Sequence, residues 1–195
     1  MARTATVQRE TSETQISIEL NVDGEGKAQI STGIGFFDHM LTLWSKHGLF
    51  DLLVRANGDL VIDGHHTVED VGITLGQVLT KALGDKKGIR RYGTAFVPMD
   101  EALAMVSLDI SGRPYLAYSA EVSAPAIGGF DSELTEEFFR AMAVHAGMTI
   151  HVRLLAGKNA HHCVEAIFKA FGRALSEAVQ IDARIRGVMS TKGVL

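Results

Sequence analysis

Cysteine is nearly absent. Cys163 stands alone among 195 residues, so an internal disulfide framework is excluded and a reducing, cytoplasmic location is the default expectation. Proline occurs three times and no low-complexity tract interrupts the chain, which leaves no obvious flexible linker. No apolar run approaches the roughly 20 residues of a membrane span. The N-terminus leads into a polar, strand-like segment and not into the apolar region of a signal peptide. Positive charge is not in excess; a formal net charge of −4 argues against non-specific nucleic-acid binding. A chain 46% hydrophobic and 22% charged is an ordinary globule, one large domain or two small ones, and long enough to bury a core.

What the sequence has is histidine in a pattern. His65-His66-Thr67-Val68-Glu69 returns as His161-His162-Cys163-Val164-Glu165, and 161 − 65 gives a separation of 96 residues, about half the chain. On a helix, residues three and four apart share a face, so Glu69 can join His65 or His66. Adjacent histidines point roughly 100° apart and do not easily hold one ion. The sharper reading is one imidazole for each of two ions, with a carboxylate nearby and the second unit supplying the same ligands again. Nitrogen and oxygen donors point to Mn, Fe or Zn. The plainer reading of a single copy is a polar patch at a helix start; the duplication with identical spacing weighs against it.

The rest of the chain supports a duplication. Residues 4–9 and 15–22 alternate as half-buried strands do, and after the Asp23-Gly24 turn residues 27–31 are expected to pair back as a hairpin. A helix from Phe36 ends near Gly48, residues 52–56 and 60–62 form a second hairpin around Asn57-Gly58-Asp59, and 65–83 is a long amphipathic helix closed by Gly84. The second half repeats the order: strands at 95–99, 102–110 and 115–122, a loop at 125–131, a helix at 134–145, a strand at 148–155, a helix at 161–179, and an irregular basic tail. Phe36-Phe37 and Phe138-Phe139 precede the two histidine pairs at similar distances. The expectation is an α+β fold of two stacked halves, 1–92 and 93–183, followed by a tail, 184–195.

With the two His-His-x-Val-Glu units, Gly35-Phe36-Phe37-Asp38-His39-Met40-Leu41, Asp109-Ile110-Ser111-Gly112-Arg113-Pro114 and Ser190-Thr191-Lys192-Gly193 in view, the chain resembles the imidazoleglycerol-phosphate dehydratases over nearly its whole length. The resemblance implies an internally duplicated, ribosomal protein S5 domain 2-like fold with helices packed between β-sheets. It also implies two Mn2+ per active site, a homo-oligomer of 24 subunits with sites at subunit interfaces, and no nucleic-acid or membrane partner. The reaction implied is loss of water from imidazole glycerol phosphate to give imidazole acetol phosphate, in histidine biosynthesis. By position, the metal ligands would be His39, His65, His66, Glu69, Glu137, His161, His162 and Glu165. Of these, Glu137 stands where the family usually has a histidine; a carboxylate is a competent ligand for Mn. Met189 stands where the family tail usually has a proline, and Thr191 replaces a second serine.

Catalytic roles fall by resemblance to Glu13, His65, Glu69, His161 and Glu165, with Glu13 as the proton-transfer group. Substrate binding falls to Glu13, His39, His47, Arg91, Arg113, Lys169, Ser190 and Lys192, the tail closing over the phosphate. Read without the resemblance, Glu13 is a solvated strand-edge residue, His47 a helix-end histidine, the Lys86–Arg91 run a solvated basic turn, and Lys192 part of a disordered end. His145, His151 and Cys163 serve packing. Two other readings use the same ligand chemistry: a dinuclear metallohydrolase of a small phosphate ester, and a non-catalytic metal-binding protein that has no need of Arg91, Arg113 and the Lys192 tail.

Overall fold

Period-two burial sets the strands. In β2 (Thr14–Asn21), Ile16, Ile18 and Leu20 turn inward while Gln15 and Glu19 face out. In β6 (Ala102–Asp109), Ala102, Ala104, Val106 and Leu108 do the same. The computed structural model describes residues 3–195. Its first half runs β1 (Thr4–Glu10), β2, β3 (Ala28–Ser31), α1 (Gly35–Gly48), β4 (Asp51–Gly58) and α2 (His65–Leu83). The second runs β5 (Tyr92–Met99), β6, β7 (Tyr115–Ser119), β8 (Ala126–Ile127), β9 (Phe130–Asp131), α3 (Leu134–Ala146), β10 (Thr149–Ala156) and α4 (Ala160–Val179).

The two four-stranded sheets have one design. Their orders are β1-β2-β4-β3 and β5-β6-β10-β7, and in each the last pair is parallel while the others are antiparallel. A parallel neighbour requires a crossover, which α1 and α3 supply. That corrects the expected hairpin at 27–31: β3 pairs with β4 across α1 and not with β2. The expected strand at 60–62 is also absent. Ile62 N donates to Asp59 O (2.8 Å) in a turn, and Val61 stands fully exposed. The 125–131 loop carries the small β8–β9 pair.

Helices lie between the sheets. The inner face of the first sheet is covered by α2, that of the second by α4; α2 packs on α3, and α1 on α4. Glycines allow the close approaches. A Cβ on Gly76 of α2 would come within 2.9 Å of Ala146 N, and one on Gly172 of α4 within 2.6 Å of Trp44 O. These two glycines are repeat equivalents, since 172 − 76 is again 96. The duplicated phenylalanine pairs meet at the centre, where Phe37 and Phe138 are edge to face at 5.4 Å and both fully buried.

Candidate metal and substrate site

Both histidine pairs open a long helix. The backbone N–H of His65 donates to Asp63 Oδ1 (2.7 Å), and Asn159 Oδ1 accepts from His161 N (2.9 Å) and His162 N (3.4 Å). A first turn pinned in this way directs the two rings of each pair apart. The His65 and His66 rings stand at 86°, those of His161 and His162 at 83°. Neighbouring imidazoles therefore face different spaces, as the helical spacing requires.

One cluster closes within the chain. His39 of α1 meets His161 and Glu165 of α4, with ligating atoms all within 4.8 Å of one another. Glu165 Oε2 lies 3.1 Å from His161 Nε2 and 3.4 Å from His39 Nε2. Lys169, one turn on, pairs with the other oxygen, Oε1. Burial opposes ionisation of Glu165, but Lys169 and His39 outweigh it and hold the carboxyl below its usual range. Two imidazole nitrogens and one carboxylate oxygen converging on one point fit a first-row divalent ion.

The remaining expected ligands stand elsewhere. His66 Nδ1 lies 3.0 Å from Asp59 Oδ2 and 3.7 Å from Glu13 Oε2, while His162 Nδ1 is 2.8 Å from Glu101 Oε2. Asp59 holds the His66 imidazole above its ordinary pKa and Glu101 does so for His162; Glu101 is itself drawn down to about 2 by His162 and the Asn159 N–H. His65 and Glu69 are half-buried at the start of α2. Glu137 lies 3.4 Å from Arg140 Nε. Among the described residues, His39, His161 and Glu165 are the one group of three or more such donors that close within the chain.

Glu13 sits at the β1–β2 turn, half exposed beside a hollow of about 270 Å³ lined also by Ser12, Asn57 and Asp59. Thr11 Oγ1 accepts from Glu13 N (3.1 Å) and Thr14 N (3.0 Å), which shapes the turn. Asp70, next to Glu69, fastens that turn to α2: its buried carboxylate accepts from Arg9 Nε (2.8 Å) and from the Thr14 hydroxyl.

The expected phosphate ligands fall in two places. His47 and Lys169 lie together on α1 and α4, and burial plus the charges of Lys169 and Arg173 push His47 below its ordinary value. Arg91, Arg113 and Ser190 gather near Asp109 and the tail. Arg91 gives a forked pair to Asp109 (2.6 and 3.0 Å) and donates to Met189 O (2.7 Å), which ties down the tail before Ser190. Arg113 is exposed after Gly112, whose φ of 74° makes the tight turn. In the tail, Lys192 N donates to Ser190 Oγ (3.1 Å). Asp59, Asp70 and Glu101 were not among the sequence candidates; their only sequence signal is an acid at a strand end or next to a ligand.

A doubled α+β fold with imidazole–carboxylate sets at equivalent helix starts defines a class: duplicated α+β proteins whose two halves offer the same donors twice. Residues 32–175 match the family model described as imidazoleglycerol-phosphate dehydratase. The chain belongs to the imidazoleglycerol-phosphate dehydratase family. The protein of that name from Acetivibrio thermocellus is 63% identical over 195 residues, covering all of both chains. That from Clostridium acetobutylicum is 61% identical over 191 residues, covering 98% of this chain and 97% of its own. The crystal structure of the Staphylococcus aureus dehydratase is 46% identical with a TM-score of 0.83, over 92% of this chain and 99% of that one. The Pyrococcus furiosus structure is 41% identical with a TM-score of 0.85, over 97% and 100%. Membership makes the chain a dehydratase, and so a hydro-lyase. No described helix is long and apolar enough to cross a membrane.

Proposed function

We propose that the chain eliminates water from imidazole glycerol phosphate to give imidazole acetol phosphate, as a cytoplasmic enzyme of histidine biosynthesis, at sites that each hold two Mn2+. The observation that carries this reading is the imbalance between the two units. Both present imidazoles at a helix start, yet among the described residues only the second closes a three-donor cluster within the chain. His65, His66 and Glu69 then complete their set against another copy, which favours a homo-oligomer, 24 subunits by resemblance, with sites at its contacts. Glu137 would serve such a set as an anionic donor.

Bound ions supply Lewis acidity and a template for the substrate's ring nitrogens. The chain's own groups do the rest. Glu13 reaches the hollow beside His66 with a carboxylate free to exchange the carbon-bound proton. Lys169 and His47 on one side, and Arg113, Ser190 and Lys192 with the Arg91-anchored tail on the other, bind and orient the phosphate. Sequence units 1–92, 93–183 and 184–195 act as the two ligand-bearing halves and the phosphate-closing tail.

The experiment is turnover of imidazole glycerol phosphate by Mn-loaded protein, following the ketone and inorganic phosphate together. Ketone with no phosphate release is expected, chelation should abolish it, and Mn2+ should restore it. Glu13→Gln should lower kcat by about 10²–10⁴-fold with substrate still bound. Release of phosphate in place of ketone would overturn the reading in favour of a phosphate-ester hydrolase.

A further inference from the structure

In both halves, one nitrogen of the second histidine is already engaged by a carboxylate. His66 Nδ1 faces Asp59 (3.0 Å), and His162 Nδ1 faces Glu101 (2.8 Å). An ionised carboxylate only accepts, so Nδ1 of each ring carries a hydrogen, and in the neutral ring the lone pair lies on Nε2.

The two carboxylates are not copies of each other. Glu101 lies in the β5–β6 turn, whose repeat equivalent is the β1–β2 turn that carries Glu13. Asp59 follows β4. The same ring nitrogen is thus served from different elements in the two halves, which inheritance by duplication does not explain. A shared requirement on His66 and His162 does. The substitution of supplier has a further effect: with Asp59 on His66, the turn carboxylate Glu13 stays 3.7 Å off, outside hydrogen-bond distance. Its counterpart Glu101 is fully committed, with Oε1 accepting from Asn159 N (2.7 Å) and Lys158 N (3.2 Å) and Oε2 on the ring.

We infer that Glu101 is a positioning residue that fixes the tautomer and direction of His162, so that Nε2 is presented as a donor to a divalent ion, and that Asp59 does the same for His66 and thereby leaves Glu13 outside hydrogen-bond distance of that ring. This rests on the metal-holding reading proposed above. Carboxylates behind metal-binding histidines raise metal affinity by about 10- to 100-fold.

Glu101→Gln separates this role from a structural one. The amide oxygen can keep both backbone N–H bonds at the start of α4, while its NH2 faces Nδ1 and forces the hydrogen onto Nε2. The measurement is equilibrium dialysis of metal-stripped full-length protein against MnCl2, with Glu101→Ala alongside. We expect Glu101→Gln to weaken one class of Mn2+ sites by about 10- to 100-fold, with the melting temperature of the metal-free protein unchanged. If Glu101→Gln binds like wild type, whether or not Glu101→Ala is weakened, Glu101 only holds the backbone and the inference falls while the metal reading stands. If wild type itself takes up no Mn2+, both fall.

Discussion

Glu165 shows what a single side chain is asked to do. It is nearly buried, yet its two oxygens look in different directions, one to Lys169 and the other to His39 and His161. A buried carboxylate with no partner would be too costly to keep ionised, and Lys169 removes that cost on one side only. The other side remains negative toward the imidazoles. Asp51 is a simpler case, away from the chemistry. Its Oδ1 accepts from Glu25 N (2.8 Å) and Lys27 N (3.0 Å), and these backbone donors hold the carboxyl below its ordinary pKa. A carboxylate held low stabilises the fold fully above its unfolded pKa of about 4. That contribution is lost as pH falls through the lower folded value. Urea midpoints of wild type should therefore fall between about pH 5 and pH 3, and those of Asp51→Asn, lower at neutral pH, should fall by less. Equal falls in the two proteins would remove the assignment.

At the scale of the element, helix starts carry the paired histidines and helix middles carry the fit. Gly76 and Gly172 cost their helices about 1 kcal/mol each in propensity relative to alanine. Their neighbours leave no room for the methyl group, because backbone atoms of Ala146 and Trp44 stand where it would go. Gly76→Ala and Gly172→Ala should each lower stability by about 1–3 kcal/mol, read as a drop in melting temperature; a rise would mean that the interhelical contact yields. The long helices were legible because their signals are local: period 3.6 over 65–83, with Gly84 accepting the positive φ at the end. For β3 the sequence points to the wrong partner, because a parallel partner lies beyond a whole helix and a turn such as Asp23-Gly24 suggests its nearer neighbour instead. Leu60, Val61 and Ile62 carry strand-like side chains but sit in a turn, where periodicity has nothing to say about pairing. In the site, repetition made the histidines and their glutamates visible. The carboxylates behind them were not, since Glu101 lies 61 residues before His162 and Asp59 reads only as part of the Asn57-Gly58-Asp59 turn.

For the whole molecule, the unclosed first unit and the apolar turn before it belong together. Val61 is fully exposed and Ile62 largely so, a few residues before His65. In the proposed homo-oligomer, side chains of that kind beside His65 suit contact with another copy. Val61→Asp combined with Ile62→Ser should reduce the mass of the assembly in light scattering and weaken Mn2+ uptake, while the melting of the metal-free chain changes little. An unchanged mass would free the turn from any part in assembly.

The reciprocal seating of the helices also bears on how the molecule could be taken apart. Each half lends the other one grooved helix and one ridged partner: α2 receives α3, and α4 receives α1. A break in the turn between α2 and β5, where Asp85 and Lys87 are exposed, would leave two fragments, each with half of an interlock and a greasy flank open to water. They would find each other again in solution, as the two hands of a clasp do, and neither would persist by itself.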